Sequence, residues 1–411
     1  MTLHCRSCAA PLSVSFCDLG MSPPSNAFLT EADLQAPETF LPLHAYVCAD
    51  CFLVQLPEVA RPDAIFKDDY AYFSSYSDTW LQHARAYAAY ARDRFRLGPR
   101  SHVIEVASND GYLLRFFAEM GIPTLGIEPS SNVAEAARAL GLETLAEFFG
   151  SALAGRLARE GRRADLLVGN NVLAHVPDLN DFVAGLREAL APAGVVSMEF
   201  PHLLRLIEGN QFDTIYHEHY SYLSLLAVQR VFAAHGLTVF DVQQLPTHGG
   251  SLRVFARHAA HAGRKVEDSV GRLLTEERAF GLDRVETYER FAEQTRETKR
   301  RLLELLIDVK RSGKRIAAYG AAAKGNTLLN YCGVRSDFID YVVDRSPHKQ
   351  GRYLPGTHLP VHAPEHVRRT RPDYLIILPW NLRDEILAQM SWIREWGGQF
   401  IVPIPQAEIV R

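Results

Sequence analysis

Residues Val103 to Leu114 read VIEVASNDGYLL. The first four residues are apolar or β-forming, the next five (Ala107 to Gly111) are small or turn-forming, and YLL opens a helical pattern. A strand, a tight turn and a helix start make the repeating unit of an open parallel sheet. Outward from it the same alternation continues. Helix-like YLLRFFAEMG is followed by strand-like TLGIEP, helix-like NVAEAARALG, strand-like ADLLVGN, helix-like LNDFVAGLREAL and strand-like GVVSMEF. A hairpin-like pair follows, LTVFDVQQL and GSLRVFARH. Residues 264–312 are highly charged and read as solvated helices that bridge to a second βα series, whose strands are RIAAYG, FIDYVVD, YLIILP and FIVPIP. The expected fold is α/β: a small N-terminal unit (residues 1–65), then two tandem Rossmann-like parallel-sheet domains (66–259 and 260–411).

The turn also bears on a cofactor. Class I methyltransferases that use S-adenosylmethionine carry an acidic residue and a glycine-rich turn here. Glu105 and Gly111 fit that pattern, while Ala107 and Asn109 stand where glycines are usual. Asn tolerates the left-handed conformation better than most residues, so Asn109 is a workable substitute. The following strand ends in Glu128 and Pro129, and an acidic side chain at that edge can accept both ribose hydroxyls. Tyr112, Phe148, Phe149, Asn170 and Asn171 complete the candidate cofactor set. NAD is the competing cofactor, and the absence of G-x-G-x-x-G counts against it.

Composition narrows the rest. Hydrophobic residues make up 47% and charged residues 22% of the 411, as in a soluble globular protein, and a net charge of −4 gives no electrostatic footprint for nucleic acid. There is no apolar run of bilayer length and no apolar core in MTLHCRSCAA, so the expectation is a cytoplasmic enzyme, monomer or homodimer, without membrane or nucleic-acid partners. In a reducing setting, clustered cysteines read as metal ligands before disulfides. Cys5 and Cys8 (CRSC) and Cys48 and Cys51 (CADC) are two knuckles able to complete a tetrahedral, structural zinc site. Cys17 and Cys332 read as small buried apolar residues.

DTIYHEHYSYLS (Asp213 to Ser224) concentrates three tyrosines, two histidines and two carboxylates. In a strand, Tyr216, Glu218 and Tyr220 would share one face; in a helix, Tyr216, His219 and Tyr220 would cluster. Periodicity does not choose between His217 and His219. A packed aromatic loop and a metal site are the other readings, though adjacent H-E-H side chains make a poor chelate on an extended chain.

Taken in order, CRSC…CADC, DDYAYFSSYS, EVASNDG, GIEPS, NNVLAHVPD, EFPHL, DTIYHEHYSYLSL and AAYGAAAKGNTLLN resemble the nucleotide-sugar C-methyltransferases of antibiotic deoxysugar pathways, which act on TDP-4-keto-6-deoxyhexoses. The resemblance covers essentially the whole chain. It implies a zinc-bearing N-terminal domain, a central cofactor domain and a C-terminal domain that holds the TDP-sugar. It implies His219 as general base for enolate formation next to the ketone, with Tyr216 and Glu218 in support and Tyr70 reaching the site; His175 ranks second as base. Such a reaction needs a base near neutrality and donors aimed at the developing oxyanion.

The second sheet supplies the substrate-side candidates. Gly320 and Ala322 are small enough to bring backbone N–H groups to a phosphate, with Tyr319, Lys324 and Asn326 beside them. Asp344, His348, Lys349 and Arg352 follow the next strand, and Trp380, Asn381 and Arg383 the one after. Tyr222 and His202 join this set. The rival functions are an NADPH-dependent ketoreductase of the same sugar class, alone or as a second activity, and a zinc-ribbon binding protein on a degenerate methyltransferase fold.

Overall fold

The structure, a computed structural model, describes residues 3–59, 73–261 and 263–410; Tyr70 lies outside the described residues. The strands are β1 (Val14–Ser22), β2 (Leu41–Val47), β3 (Val54–Gln55), β4 (Val103–Val106), β5 (Thr124–Ile127), β6 (Thr144–Leu145), β7 (Ala164–Asn170), β8 (Leu190–Pro201), β9 (Ser221–Tyr222), β10 (Leu237–Leu245), β11 (Ser251–His258), β12 (Ile316–Tyr319), β13 (Val342–Val343), β14 (Val361–His362), β15 (Tyr374–Ile377), β16 (Gln399–Val402) and β17 (Glu408–Val410). They form three sheets. The central one runs β10-β11-β8-β7-β4-β5-β6, parallel from β8 to β6, with β11 antiparallel to β8. The C-terminal one runs β14-β13-β12-β15-β16-β17 and is parallel except for β17. All four residues of β4 and of β12 are buried, as the middle strands of a sheet covered by helices on both faces must be.

The N-terminal sheet runs β1-β2-β3-β9. Its last strand comes from the YHEHYSY segment: Val54 pairs with Tyr222 and Gln55 with Ser221. The N-terminal unit is therefore completed by residues more than 150 positions downstream. Directly after β9, the Ser224 hydroxyl accepts from the Ala227 N–H at 3.1 Å and caps the helix Leu225–Ala234.

The charged region 268–311 forms three helices, Asp268–Phe280, Val285–Glu289 and Phe291–Arg311. They do more than bridge the sheets through solvent. Phe291 stacks on Phe16 of β1 with centroids 4.6 Å apart, and Leu302, Leu306 and Val309 are buried. The apolar stripe is hidden among charges, which is how an amphipathic helix reads in sequence. Cys17 and Cys332 are both buried. Among the described residues no helix is long and apolar enough to cross a membrane.

At the β4 turn, Gly111 has φ +76°, and a Cβ there would lie 2.3 Å from Leu142 Cδ1 and 3.5 Å from Ala137 Cβ. Glycine suits both the left-handed turn and its close approach to the helix Ser131–Ala139. Gly111→Ala is expected to destabilise the protein by about 2–4 kcal/mol, combining left-handed strain with overpacking. Urea unfolding should show a lower midpoint at unchanged slope.

Candidate functional site

A cavity of about 930 Å³ opens at the carboxyl ends of the central strands, where the strand order reverses between β4 and β7. Ala107, Asn109, Tyr112, Glu128, Pro129, Phe148, Phe149, Asn170 and Asn171 line it; Glu105 and Gly111 do not. Ala107 and Asn109 hold φ of +55° and +50°, so both non-glycine residues adopt the left-handed conformation of the glycines they stand for. The Asn109 N–H donates to Glu128 Oε2 at 3.0 Å and the Ser130 N–H to Oε1 at 2.9 Å. The carboxylate is thereby fixed at the edge of β5 with lone pairs to spare. Glu105 is fully buried under the turn, and burial lifts its carboxyl well above the ordinary range. At the end of β7, Asn170 donates to the Tyr112 hydroxyl at 3.1 Å, while the buried Oδ1 atoms of Asn170 and Asn171 have no donor among the described residues. Two orphaned acceptors beside a fixed carboxylate fit a ligand that brings hydroxyl and ammonium donors, as S-adenosylmethionine does.

The opposite wall carries the histidines. His219 Nδ1 lies 2.9 Å from the Thr214 carbonyl. That carbonyl can only accept, so Nδ1 carries the proton and Nε2 keeps its lone pair. The ring sits 4.0 Å from Tyr216, 4.6 Å from His175 in a T-shaped contact and 6.2 Å from Tyr222, centroid to centroid. Burial first, then the neighbouring His175, push His219 well below the ordinary histidine value. Burial brings His175 down to about 4. His217 turns away, its Nε2 3.2 Å from the Pro42 carbonyl of β2. Neither regular periodicity applies to this loop, which is closed by the His219 N–H donating to the Tyr216 carbonyl at 2.8 Å. Glu218 lines the cavity but does not support His219: its Oε1 accepts from Asn26 Nδ2 at 2.5 Å, and burial raises it to about 7.

From the C-terminal sheet, Ala322, Lys324 and Lys349 reach the cavity. Lys324 Nζ donates to Asn381 Oδ1 at 2.7 Å and lies 4.7 Å from the centre of the Trp380 ring, and burial lowers its pKa. The Trp380 indole N–H donates to buried Asp213 at 2.7 Å, joining the first residue of DTIYHEHYSYLS to the third sheet. Lys349 Nζ donates to the Ala321 carbonyl at 2.8 Å, and Asp344 accepts from the Ala321 N–H.

Other candidates lie elsewhere. His202 is buried with its Nε2 2.8 Å from Glu277 Oε1, tying the helix Asp268–Phe280 to the core. Asn326 is buried and donates to the Ser25 carbonyl. Tyr319 donates to Gln389. Gly320 packs against Pro379. Arg383 pairs with Glu408 at the surface. His348 and Arg352 are exposed, His348 stacking loosely on Phe73 and Tyr76.

Sequence reasoning missed Trp80, Asn26 and His248, all in the cavity wall. His248 stands 5.2 Å from Trp80 and 3.1 Å from Asn171 Nδ2. The doubled glycine of Thr247–Gly250 marked a special turn between the hairpin strands. A Cβ on Gly249 would meet Trp380 at 2.6 Å, and one on Gly250 would meet Arg205 at 2.7 Å.

The Sγ atoms of Cys5, Cys8, Cys48 and Cys51 all lie within 4.8 Å of one another, with Cys5–Cys51 and Cys8–Cys48 at 3.5 Å. Tetrahedral Zn–S bonds require sulfur–sulfur separations of about 3.8 Å, so four thiolates fit one zinc ion and leave no open position. The two knuckles share one geometry. Ala9 (φ +61°) and Phe52 (φ +60°) follow the second cysteines, and their N–H groups donate back to Cys5 and Cys48 at 2.9 Å.

Glu218 gives a stability test. Its folded-state pKa, about 7, exceeds the ordinary 4.5, so the native state tolerates it while protonated and loses stability as pH rises through 7. Glu218→Gln is expected to stabilise the protein by about 3 kcal/mol at pH 8.5 and by about 1 kcal/mol or less at pH 5. Denaturant unfolding at the two pH values measures this.

Three family matches tile the chain: a zinc binding domain over residues 5–66, a methyltransferase domain over 80–242 and a C-methyltransferase C-terminal domain over 246–405. C-methyltransferase NovU of Streptomyces niveus is 36% identical over 407 residues, covering 99% of this chain and 96% of that protein. Among solved structures, the 1,6-didemethyltoxoflavin-N1-methyltransferase of Burkholderia thailandensis is 16% identical with a TM-score of 0.36, covering 52% of this chain and 97% of that one. The magnesium protoporphyrin IX methyltransferase of Synechocystis PCC 6803 is 14% identical with a TM-score of 0.34, covering 43% and 82%. With its zinc cluster, its cofactor domain and a relative matched from end to end, the chain belongs to the zinc-containing, S-adenosylmethionine-dependent C-methyltransferases.

Proposed function

We propose that the protein methylates C3 of a TDP-4-keto-6-deoxyhexose in deoxysugar biosynthesis, through base-catalysed enolate formation. The observation that carries this reading is His219, its tautomer set by the Thr214 carbonyl and its side chain in the wall of a cavity shared with the cofactor residues. When bound, S-adenosylmethionine supplies an electrophilic methyl group. The protein's own part is to take the proton from the carbon next to the ketone, stabilise the enolate oxygen and exclude water. In this reading His219 is the base, Tyr216 packs against its ring, and His175 is the reserve base. Tyr222 is a donor at the sugar, and Glu218 is a second proton-holding group in the wall. Lys324 and Lys349 supply positive charge on the side of the third sheet, where a nucleoside diphosphate would be held. The chain divides functionally near residues 65 and 259, with the end of the YHEHYSY segment built into the zinc unit.

The depressed pKa of His219 fixes the pH behaviour. A base works when unprotonated, so kcat/KM should hold through neutrality and fall only below the ordinary histidine range.

Mass spectrometry of the protein with S-adenosylmethionine and a panel of TDP-4-keto-6-deoxysugars should show a gain of one methyl group and formation of S-adenosylhomocysteine. No methyl gain with cofactor bound would sink the substrate assignment, and a gain of two hydrogens with NADPH would replace it with ketoreduction. His219→Asn is expected to lower the rate by roughly 10²–10⁴-fold and to abolish solvent deuterium exchange at C3. His217→Asn should retain both. Exchange retained in His219→Asn would move the base to another group, His175 or Tyr216.

A further inference from the structure

We infer that Arg6, inside the first zinc knuckle, is a positioning residue that braces both histidine-bearing loops of the cavity. Its guanidinium is committed to main-chain carbonyls. Nη1 donates to Pro177 at 2.8 Å and Val176 at 3.3 Å, the two residues after His175, and Nη2 donates to Leu56. The Leu56 N–H in turn donates to the Tyr220 carbonyl at 3.0 Å, directly after His219, and the guanidinium lies 5.3 Å from the centre of the Tyr220 ring. One side chain thus touches the loop behind His175 and the segment behind His219. Val176 and Pro177 are themselves cavity wall.

The knuckle is anchored from the other side as well. Asn180 Nδ2 donates to the carbonyls of Arg6 and Ser7, both at 3.0 Å. Gln55 Oε1 accepts from the Arg6 N–H at 2.8 Å, while Gln55 Nε2 donates to Cys5 Sγ at 3.1 Å. Cys5 and Cys8 fix the backbone on either side of Arg6 when zinc is bound. The metal then sets the origin of the brace, and the planar five-donor fork sets its reach; a lysine ammonium could serve one loop but not hold both. The zinc unit therefore acts on turnover through geometry as well as on folding. This rests on His219 and His175 being the working histidines.

The test uses the full-length zinc-loaded protein and its Arg6→Ala and Arg6→Lys variants. Zinc content is read by plasma mass spectrometry, cofactor affinity by calorimetry, and loop mobility by hydrogen exchange over residues 172–180 and 214–223. Arg6→Ala should keep one zinc per chain and wild-type cofactor affinity, yet exchange faster in both loops. Its kcat should fall by roughly 10–100-fold with little change in KM. Added methylguanidinium should restore part of the rate, which general stabilisation would not do. Loss of zinc with faster exchange throughout the chain would overturn the proposal, as would unchanged exchange in the two loops. If Arg6→Ala does not fold, Arg6→Lys decides: faster exchange in one or both loops supports the brace, and wild-type exchange in the two loops overturns it. Exchange is read without sugar, so faster loops in a variant whose wild type methylates no sugar in the panel would support the brace while sinking the substrate assignment.

Discussion

Two residues of β9 pair with two residues of β3, and the arrangement of the site follows from that short contact. Val54 and Gln55 lie just past the second zinc knuckle, and Ser221 and Tyr222 just past His219. The pairing pins one end of the histidine loop to the metal unit. The other end is pinned by the turn Phe212–Thr214, whose Thr214 carbonyl accepts from the Nδ1–H of His219. Between these anchors the loop has few ways to run, and His217 and His219 are sent to opposite sides. A slip of one residue between β3 and β9 would exchange which side chains face the cavity. A two-residue strand cannot hold such a register by its own ladder. The zinc cluster, the buried apolar face of β2 and the Arg6 contacts hold it.

The electrostatics of the cavity follow from enclosure. Burial moves the most enclosed groups toward neutrality: His175 and His248 down to about 4, Lys324 down, Glu218 up to about 7 and Asp213 up to about 6. A wall of this kind keeps imidazoles unprotonated and can hold carboxyls protonated near neutral pH. Such a wall accepts a proton from carbon without first losing one to solvent. The Asp213–Trp380–Lys324 cluster works against this at Lys324, whose ammonium form the Asp213 carboxylate favours where the third sheet meets the histidine loop.

What was legible in the sequence was local. The strand–turn–helix pattern gave the two parallel sheets because each βα unit carries its own periodicity, and CRSC and CADC gave the metal site because the ligands lie within the knuckles. What was not legible depended on partners far along the chain. His202 sits in a motif-like EFPHL, yet its partner Glu277 is 75 residues away. Asn326 follows a phosphate-loop pattern, yet it donates to Ser25, about 300 residues upstream. The choice of His219 over His217 came from the resemblance alone; geometrically it depends on β2 and Thr214, which no periodicity encodes. His248 sits in the turn between the two hairpin strands, whose period-2 pattern says nothing of the turn's side chains.

The backbone itself marks where function displaced local preference. Of the ten non-glycine residues with positive φ among the described residues, Ala107, Asn109, Asn171 and His248 line the cavity, and Ala9 and Phe52 close the two zinc knuckles. Each costs about 1–2 kcal/mol relative to an ordinary conformation. Strain of that size persists only where the surroundings over-determine it. They do so here: Asn109 is held by Glu128 and Ser74, and Thr247, which precedes His248, is held by Glu199. Glycine at Ala107 or Asn109 would relieve the strain but would free the turn in the unfolded chain and loosen it in the folded one. Retaining a side chain at both positions fixes the turn before any ligand arrives. The knuckles use the same device for the metal, so the zinc unit and the cofactor turn are each pre-organised by the same backbone conformation.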